Sequence, residues 1–170
     1  IKLLDKHRSK DGSYDVVVPA SGGKDSIYVA HLLKYKYKMN PLTVTWAPHI
    51  RTEIGLKNFD SMIESGLDNY LIHPNTRLHK QLTRLAFLNL GHPFQPFIVG
   101  QRVIGPKIAI EKNIKLIFYG ENVAEYGNRI KDNFSPLMDT KLVSAFDTNN
   151  DDLYLSGIKI RNLKKQLSIT

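Results

Sequence analysis

An α/β fold with a doubly wound, largely parallel sheet is predicted by three features of this 170-residue chain. Short β-branched apolar runs recur along it, amphipathic helical stretches separate them, and a glycine-rich turn joins the first run to the first helix. Strands that alternate with helices form parallel sheets. Short, right-handed crossovers then place helices on both faces.

The first strand lies in Tyr14-Asp15-Val16-Val17-Val18-Pro19-Ala20, an apolar run of the kind that a strand buried on both faces requires. Ile27, Ala30, Leu33 and Tyr37 follow at helical spacing. Asn40-Pro41 breaks that pattern, and Leu42 to Trp46 reads as the second strand. Ile54, Phe59, Met62 and Ile63 mark a helix that stops near Ser65-Gly66. Tyr70-Leu71-Ile72 is a short third strand ended by Pro74, and Leu78, Leu82, Leu85 and Leu88 give an amphipathic helix from Thr76 to Leu90. The proline- and aromatic-rich segment Gly91 to Gln101 reads as a loop, Pro106 to Lys112 as a helix, and Lys115 to Tyr119 as a fourth strand ending at Gly120-Glu121-Asn122. From Asn122 to Asp152 the pattern is loop-like, and Leu153, Ile158, Ile160 and Leu163 suggest a turn feeding one more helix.

Composition sets bounds on function. A hydrophobic content of 42% suits a globular domain with a real core. No apolar run approaches a membrane span and no signal peptide is visible, so a cytoplasmic location is expected. The chain opens on Ile1 rather than Met and ends without an obvious stop, so pieces at both ends are expected to be missing. It has no cysteine, which rules out disulfides and thiolate metal sites within it. A net charge of +8 suits an anionic partner. Lys34 to Lys38, interleaved with Tyr35 and Tyr37, reads as a cationic helix terminus in preference to a nucleic-acid stripe. The histidines show no metal-ligand spacing, and the G-x-S-x-G elbow of Ser hydrolases is missing.

The residues most informative about chemistry are Ser21-Gly22-Gly23-Lys24-Asp25-Ser26. They fall on the turn from the first strand to the first helix, where unpaired N–H groups and a positive dipole end attract anions. Gly22 and Gly23 remove Cβ atoms that would keep a phosphate off the backbone, Ser21 and Ser26 add hydroxyls, and Lys24 adds a charge. The Walker pattern fails, because Asp25 follows Gly23-Lys24 where a hydroxyl residue is required. The dinucleotide pattern G-x-G-x-x-G fails as well, since the two glycines are adjacent. In an open parallel sheet, ligands bind beyond the carboxyl ends of the strands, which gathers this turn, Trp46 to His49, His73-Pro74 and Gly120-Glu121-Asn122 on one rim. Glu121 is a candidate Mg²⁺ ligand or an acceptor-binding carboxylate. Asp25 competes for the metal, or caps the first helix.

The hexapeptide resembles the S-G-G-x-D-S signature of the PP-loop (N-type) ATP pyrophosphatases. That resemblance implies an adenine nucleotide alpha hydrolase-like fold, with ATP and Mg²⁺ as cofactors and AMP and pyrophosphate as products. It further implies a PP-loop domain over 14–130 and a loop and helical extension over 131–170. Ser21, Gly22, Gly23, Lys24, Asp25, Ser26 and Gly120 would then contact the nucleotide, with Lys24, Asp25 and Glu121 acting in catalysis. Thr45 and Trp46, at the end of the second strand, would clasp adenine through main-chain groups and an apolar wall; ordinary core is the other reading of Trp46.

Gly91 to Gln101, with Tyr119-Gly120-Glu121-Asn122 and Glu125-Tyr126-Gly127, is similar to the N-acetyl sugar amidotransferases of surface-polysaccharide (lipopolysaccharide) biosynthesis. This resemblance implies that an acetamido oxygen attacks the α-phosphorus, pyrophosphate leaves, and ammonia then displaces AMP to give an acetamidino sugar. It makes Gln95, Gln101, Asn122 and Tyr126 the candidates for holding the sugar. With no cysteine nucleophile in the chain, ammonia would come from a glutaminase partner. Members of that family carry cysteine pairs near the N-terminus, and their absence here fits a chain that begins within a longer protein. Two rival readings are a PP-loop enzyme acting on tRNA, which the basic charge favours, and a non-catalytic adenine-nucleotide-binding module.

Overall fold

In a computed structural model, which describes residues 1–121 and 154–167, strands β1 (Val16–Pro19), β2 (Pro41–Trp46) and β3 (Asp68–Ile72) form a parallel sheet in the order β1-β2-β3. Val17 lies opposite Leu42 and Val44 opposite Tyr70, which fixes the register. Among the described residues the helices are α1 (Lys2–His7), α2 (Lys24–His31), α3 (Glu53–Glu64), α4 (Thr76–Leu90), α5 (Gln95–Glu111) and α6 (Ile160–Gln166). A π-helical turn, Leu32–Lys36, follows α2, and a short hairpin pairs β4 (Tyr154–Leu155) with β5 (Ile158–Lys159). The described residues divide into two compact units, 1–72 with 104–121, and 73–103 with 154–167.

In the first unit, successive residues of β1 face opposite sides of the sheet, so both sides bury apolar side chains. Val16, Val18 and Ala20 pack with Ala30 of α2, Leu33 of the π-helical turn, and Met62 and Leu67 from α3 and its exit. Val17, Leu42 and Val44 pack with Ile104, Ile108 and Ala109 of α5 on the other side. α5 comes close enough that a Cβ on Gly105 would lie 2.8 Å from the ring of Pro19. Lys34 and Tyr35 secure the end of α3: the Lys34 ammonium donates to the Gly66 carbonyl and the Tyr35 hydroxyl to the Ser65 carbonyl. Cations and donors at a helix C-terminus are favoured by its unpaired carbonyls and its dipole.

Two sequence expectations are corrected. The segment expected as a loop, Gly91 to Gln101, is helical from Gln95 onward, and the helix continues through Pro106 without a break. Pro96 sits in the first turn, where its missing N–H costs nothing. Pro106 forgoes one interior bond, which burial of Ile104, Ile108 and Ala109 offsets. The fourth strand is reduced to a single parallel bridge, Val17 to Ile117, with Val17 N–H donating to Leu116 O and Phe118 N–H to Val17 O, both at 2.9 Å. The next bond in that ladder requires an N–H from residue 19, and proline has none. The bridge nevertheless lies on the edge of β1 away from β2, so the order of connection reverses at β1.

At the amino ends of the strands the contacts are structural. Asp15, 5% exposed, accepts from the Asn40 N–H at 2.7 Å and from the Ser9 N–H. The Tyr14 hydroxyl donates to Asp68 Oδ2 at 3.0 Å. Burial, then that hydrogen bond and the neighbouring negative charge, raise the Tyr14 phenol above its ordinary 10.0. A raised folded-state value means that the contribution to stability is complete below about pH 10 and is lost as pH rises through the folded value. Tyr14→Phe is therefore expected to flatten the alkaline limb of stability against pH, measured as denaturation midpoints between about pH 8 and 11. An unchanged limb would remove Tyr14 as its source.

In the second unit, α4 is capped by Asn75, whose side chain accepts from Leu78 N–H at 3.0 Å, and ends at Gly91, where φ is 63°. Its bounds are those the sequence predicts. Leu82 packs with Leu163 and Leu167, supported by Leu78, Leu85, Leu155 and Ile158. The hairpin turns on Ser156 and Gly157, both at positive φ, as a two-residue loop that matches strand twist requires.

Candidate functional site

The Ser21–Ser26 turn leaves the carboxyl end of β1 and enters α2 at Lys24, as the sequence predicts. Its two glycines differ. Gly22 has φ of 90°, and a Cβ there would lie 3.1 Å from the Phe59 backbone nitrogen, so both the turn and the approach of α3 disfavour a side chain. Gly23 has φ of −74° and ψ of 150°, a conformation open to any residue, and a Cβ there would meet nothing closer than Ser21 Oγ at 3.8 Å. It is exposed, and the fold itself does not require a glycine at this position.

Gly23 is the N-cap of α2, with no side chain capping the helix. The first intrahelical bond runs from Ile27 N–H to Gly23 O at 3.1 Å, so the Lys24, Asp25 and Ser26 amides lie outside the helix's own ladder. Asp25 is in the first turn and does not cap; its carboxylate lies 3.7 Å from the Lys24 ammonium, with both side chains largely in solvent. Ser26 is buried, and its hydroxyl donates back to Gly23 O at 3.1 Å, which turns it away from the mouth of the helix. Ser21 and Lys24 remain the exposed side-chain donors of the turn.

Gly120 is brought directly onto this turn. A Cβ at Gly120 would lie 2.6 Å from Ser26 N and Cα and 2.8 Å from the Asp25 carbonyl carbon. Glu121, exposed, follows it in the chain, next to a residue that meets the turn carrying Asp25. Among the described residues no three His, Asp or Glu side chains converge, so a divalent ion at this turn would take its remaining ligands from phosphate and water.

A cleft of about 230 Å³ opens beside the turn. Ser21, Thr45 and Pro48 line its sheet side, Arg51, Thr52, Gly55 and Phe59 the side of α3, and Ile50, Leu56 and Leu71 complete the apolar wall. Thr52 caps α3, accepting from Gly55 N–H at 3.1 Å. Thr45 lines the cleft. Trp46 does not: it shares the opposite face with Leu42 and Val44 and packs in their cluster, which is the core reading of that residue. Phe59, Leu56 and Ile50 supply the apolar wall that Trp46 was expected to provide. An Arg-Thr pair in the segment after β2 was the available signal for the Arg51–Thr52 side of the cleft.

The remaining predicted residues are Gln95, Gln101, Asn122 and Tyr126. Gln95 and Gln101 belong to the second unit. Gln95 Oε1 accepts from the Ser156 N–H at 3.1 Å and so helps to hold the hairpin turn, whose Ser156 carbonyl also accepts from Asn89 Nδ2 at 3.2 Å. Gln101 is exposed on α5. Asn122 and Tyr126 lie outside the described residues, as does Glu125. Among the described residues no helix is long and apolar enough to cross a membrane. The chain matches no protein-family model and no curated protein.

Proposed function

We propose that the Ser21–Ser26 turn binds the phosphates of ATP and that the chain is an AMP-forming, ATP-dependent enzyme of the PP-loop kind, built on a doubly wound sheet. The observation that carries this reading is Gly23: an exposed glycine at the mouth of an uncapped helix, with free space at its β-carbon position and no conformational need for glycine. Support also comes from the sheet order, which reverses at β1, where α/β sheets take their ligands. The Lys24 and Asp25 amides, the Ser21 hydroxyl and the Lys24 ammonium would cradle phosphate oxygens. Asp25 and Glu121 would hold Mg²⁺, which when bound neutralises phosphate charge.

The nucleoside end is assigned to the cleft against Phe59, Leu56 and Leu71. At about 230 Å³ it is a space for part of a nucleotide, with the phosphates outside at the turn. Following the resemblance of 91–101 and 119–127 to sugar amidotransferases, we propose an acetamido sugar as acceptor, with Asn122 and Tyr126 as candidate contacts and ammonia from a partner glutaminase. The protein's part in that chemistry is positioning and charge neutralisation.

Incubation with ATP, Mg²⁺, ammonium chloride and an N-acetylated nucleotide sugar is expected to yield AMP and pyrophosphate, with the sugar one mass unit lighter as oxygen is replaced by NH. Ser21→Ala and Asp25→Ala are each expected to abolish AMP formation with the fold retained, by circular dichroism and thermal melting. ADP as the main product, or AMP formation at the original rate in both variants, would overturn the assignment. A parallel arm with tRNA in place of the sugar tests the acceptor, since the net charge of +8 suits RNA as well.

A further inference from the structure

We infer that Asn69, on β3, is a positioning residue for the Ser21–Ser26 turn and acts through Thr45; the inference rests on the nucleotide reading of that turn. On the α3 side of the sheet, β2 presents two buried threonines, Thr43 and Thr45. Asn69 Nδ2 donates to both hydroxyl oxygens, at 2.9 Å to Thr43 and 2.8 Å to Thr45. Thr45 Oγ1 lies 2.5 Å from the Ala20 carbonyl, and Thr43 Oγ1 lies 2.6 Å from the Asp68 carbonyl. A carbonyl only accepts, so each threonine must donate its one proton there, and each must receive from Asn69. The opposite amide orientation would draw both protons onto Asn69 and take the hydroxyl donors away from the Ala20 and Asp68 carbonyls.

The amide of Asn69 thus sets the direction of both hydroxyl protons. One of its arms ends at the amino end of β3. The other ends at Ala20, whose carbonyl belongs to the same planar peptide as the Ser21 N–H. The Ala20 N–H is already held by Val44 O at 2.9 Å, so the Thr45 hydroxyl is the second point that fixes the exit of β1. With that peptide fixed, the Ser21 amide, the Ser21 hydroxyl and the glycines beyond it leave the sheet in one orientation. Asn69 Oδ1 is buried and has no hydrogen-bond partner among the described residues, so the side chain is held through its NH₂ group.

The symmetry of the network supplies its own control. Thr45→Val and Thr43→Val each delete one buried hydroxyl of the pair and are expected to lower stability to a similar degree. Thr45→Val is expected to weaken ATP binding by about ten-fold or more, because a buried carbonyl at the base of the turn loses its donor, whereas Thr43→Val changes it less than about two-fold. Thr45→Ser, which keeps the hydroxyl, is expected to keep amide exchange of residues 21–26 as slow as in the original protein. Asn69→Asp keeps the shape but offers acceptors in place of donors, draws both hydroxyl protons away from the carbonyls, and is expected to reproduce the Thr45→Val defect. Amide hydrogen exchange of residues 21–26 without nucleotide is measured on the same variants and is expected to quicken in Thr45→Val and Asn69→Asp but not in Thr43→Val. Equal ATP affinity and equal exchange in Thr45→Val and Thr43→Val would overturn the inference. If the original protein does not bind ATP, the nucleotide reading falls, while the exchange comparison still decides whether Asn69 and Thr45 position the turn.

Discussion

Gly120→Ala is expected to destabilise the protein by about 1–3 kcal/mol, the range for forcing an extra methyl into a packed site. The atoms in its way are backbone: Ser26 N and Cα at 2.6 Å and the Asp25 carbonyl carbon at 2.8 Å. They belong to the first turn of α2, whose own position is tied to β1 and α3, so the softer partner must move. That partner is the segment ending at Gly120, held to β1 by two backbone hydrogen bonds, Val17 N–H to Leu116 O and Phe118 N–H to Val17 O. Pro19 prevents a third. The segment is expected to withdraw from α2 and carry Glu121 away from Asp25. On the proposed function this lowers the rate of AMP formation more than it weakens ATP binding, because the metal ligands separate while the phosphate turn survives. For a chain of this size the stability loss is a fall of about 2–12 °C in Tm. Unchanged melting and unchanged activity would show that Gly120 does not rest on the helix.

The elements legible in the sequence were those whose local signals and burial agree. The valines of β1 and the alternation along β2 could belong only to a buried parallel sheet, and Asn75 and Gly91 bracket α4 with a cap at each end. Signals that tertiary contact overrides were not legible. A run holding Pro93, Pro96, Gly100 and Pro106 reads as broken, yet α5 forms from Gln95 because its buried face meets the sheet and Gly105 admits Pro19. Lys115 to Tyr119 has the composition of a strand, but its pairing is limited by a residue nearly a hundred positions away, at Pro19. The N-terminal helix α1 carries no amphipathic signal of its own, since Leu4 is its one buried side chain.

The candidate site divides in the same way. Motif and position were readable, because a glycine-rich turn between a strand and a helix has few structural purposes. Residue roles within it were less so. The period of two along β2 says that Leu42, Val44 and Trp46 share a face, but which helix covers that face depends on the crossovers. Ser26 and Gln95 have the chemistry of ligand donors and acceptors, and the fold uses both internally. No local signal separates Gly22 from Gly23, although one serves the turn and the other is free of it.

That difference gives the sharpest test of the nucleotide reading. Gly23→Ala is expected to leave stability within about 0.5 kcal/mol of the original, since alanine reaches the same φ and ψ, its Cβ meets only ordinary contacts, and the loss of a glycine cap costs a few tenths. Gly22→Ala is expected to cost about 1–3 kcal/mol, because its φ of 90° strains an L-residue and the Phe59 backbone must give way. If the turn cradles phosphate, the order reverses for function. A methyl at Gly23 occupies the space that a phosphate oxygen needs to reach the first amides of α2, and ATP binding is expected to fall by about 100-fold or more, the loss of two or so charge-assisted hydrogen bonds at 1.5–3 kcal/mol each. Calorimetric titration with ATP and Mg²⁺, paired with thermal melting of both variants, reads the two effects separately. A Gly23→Ala protein that melts normally and binds ATP normally would mean that nothing approaches the backbone at that position, and the phosphate assignment would have to be withdrawn.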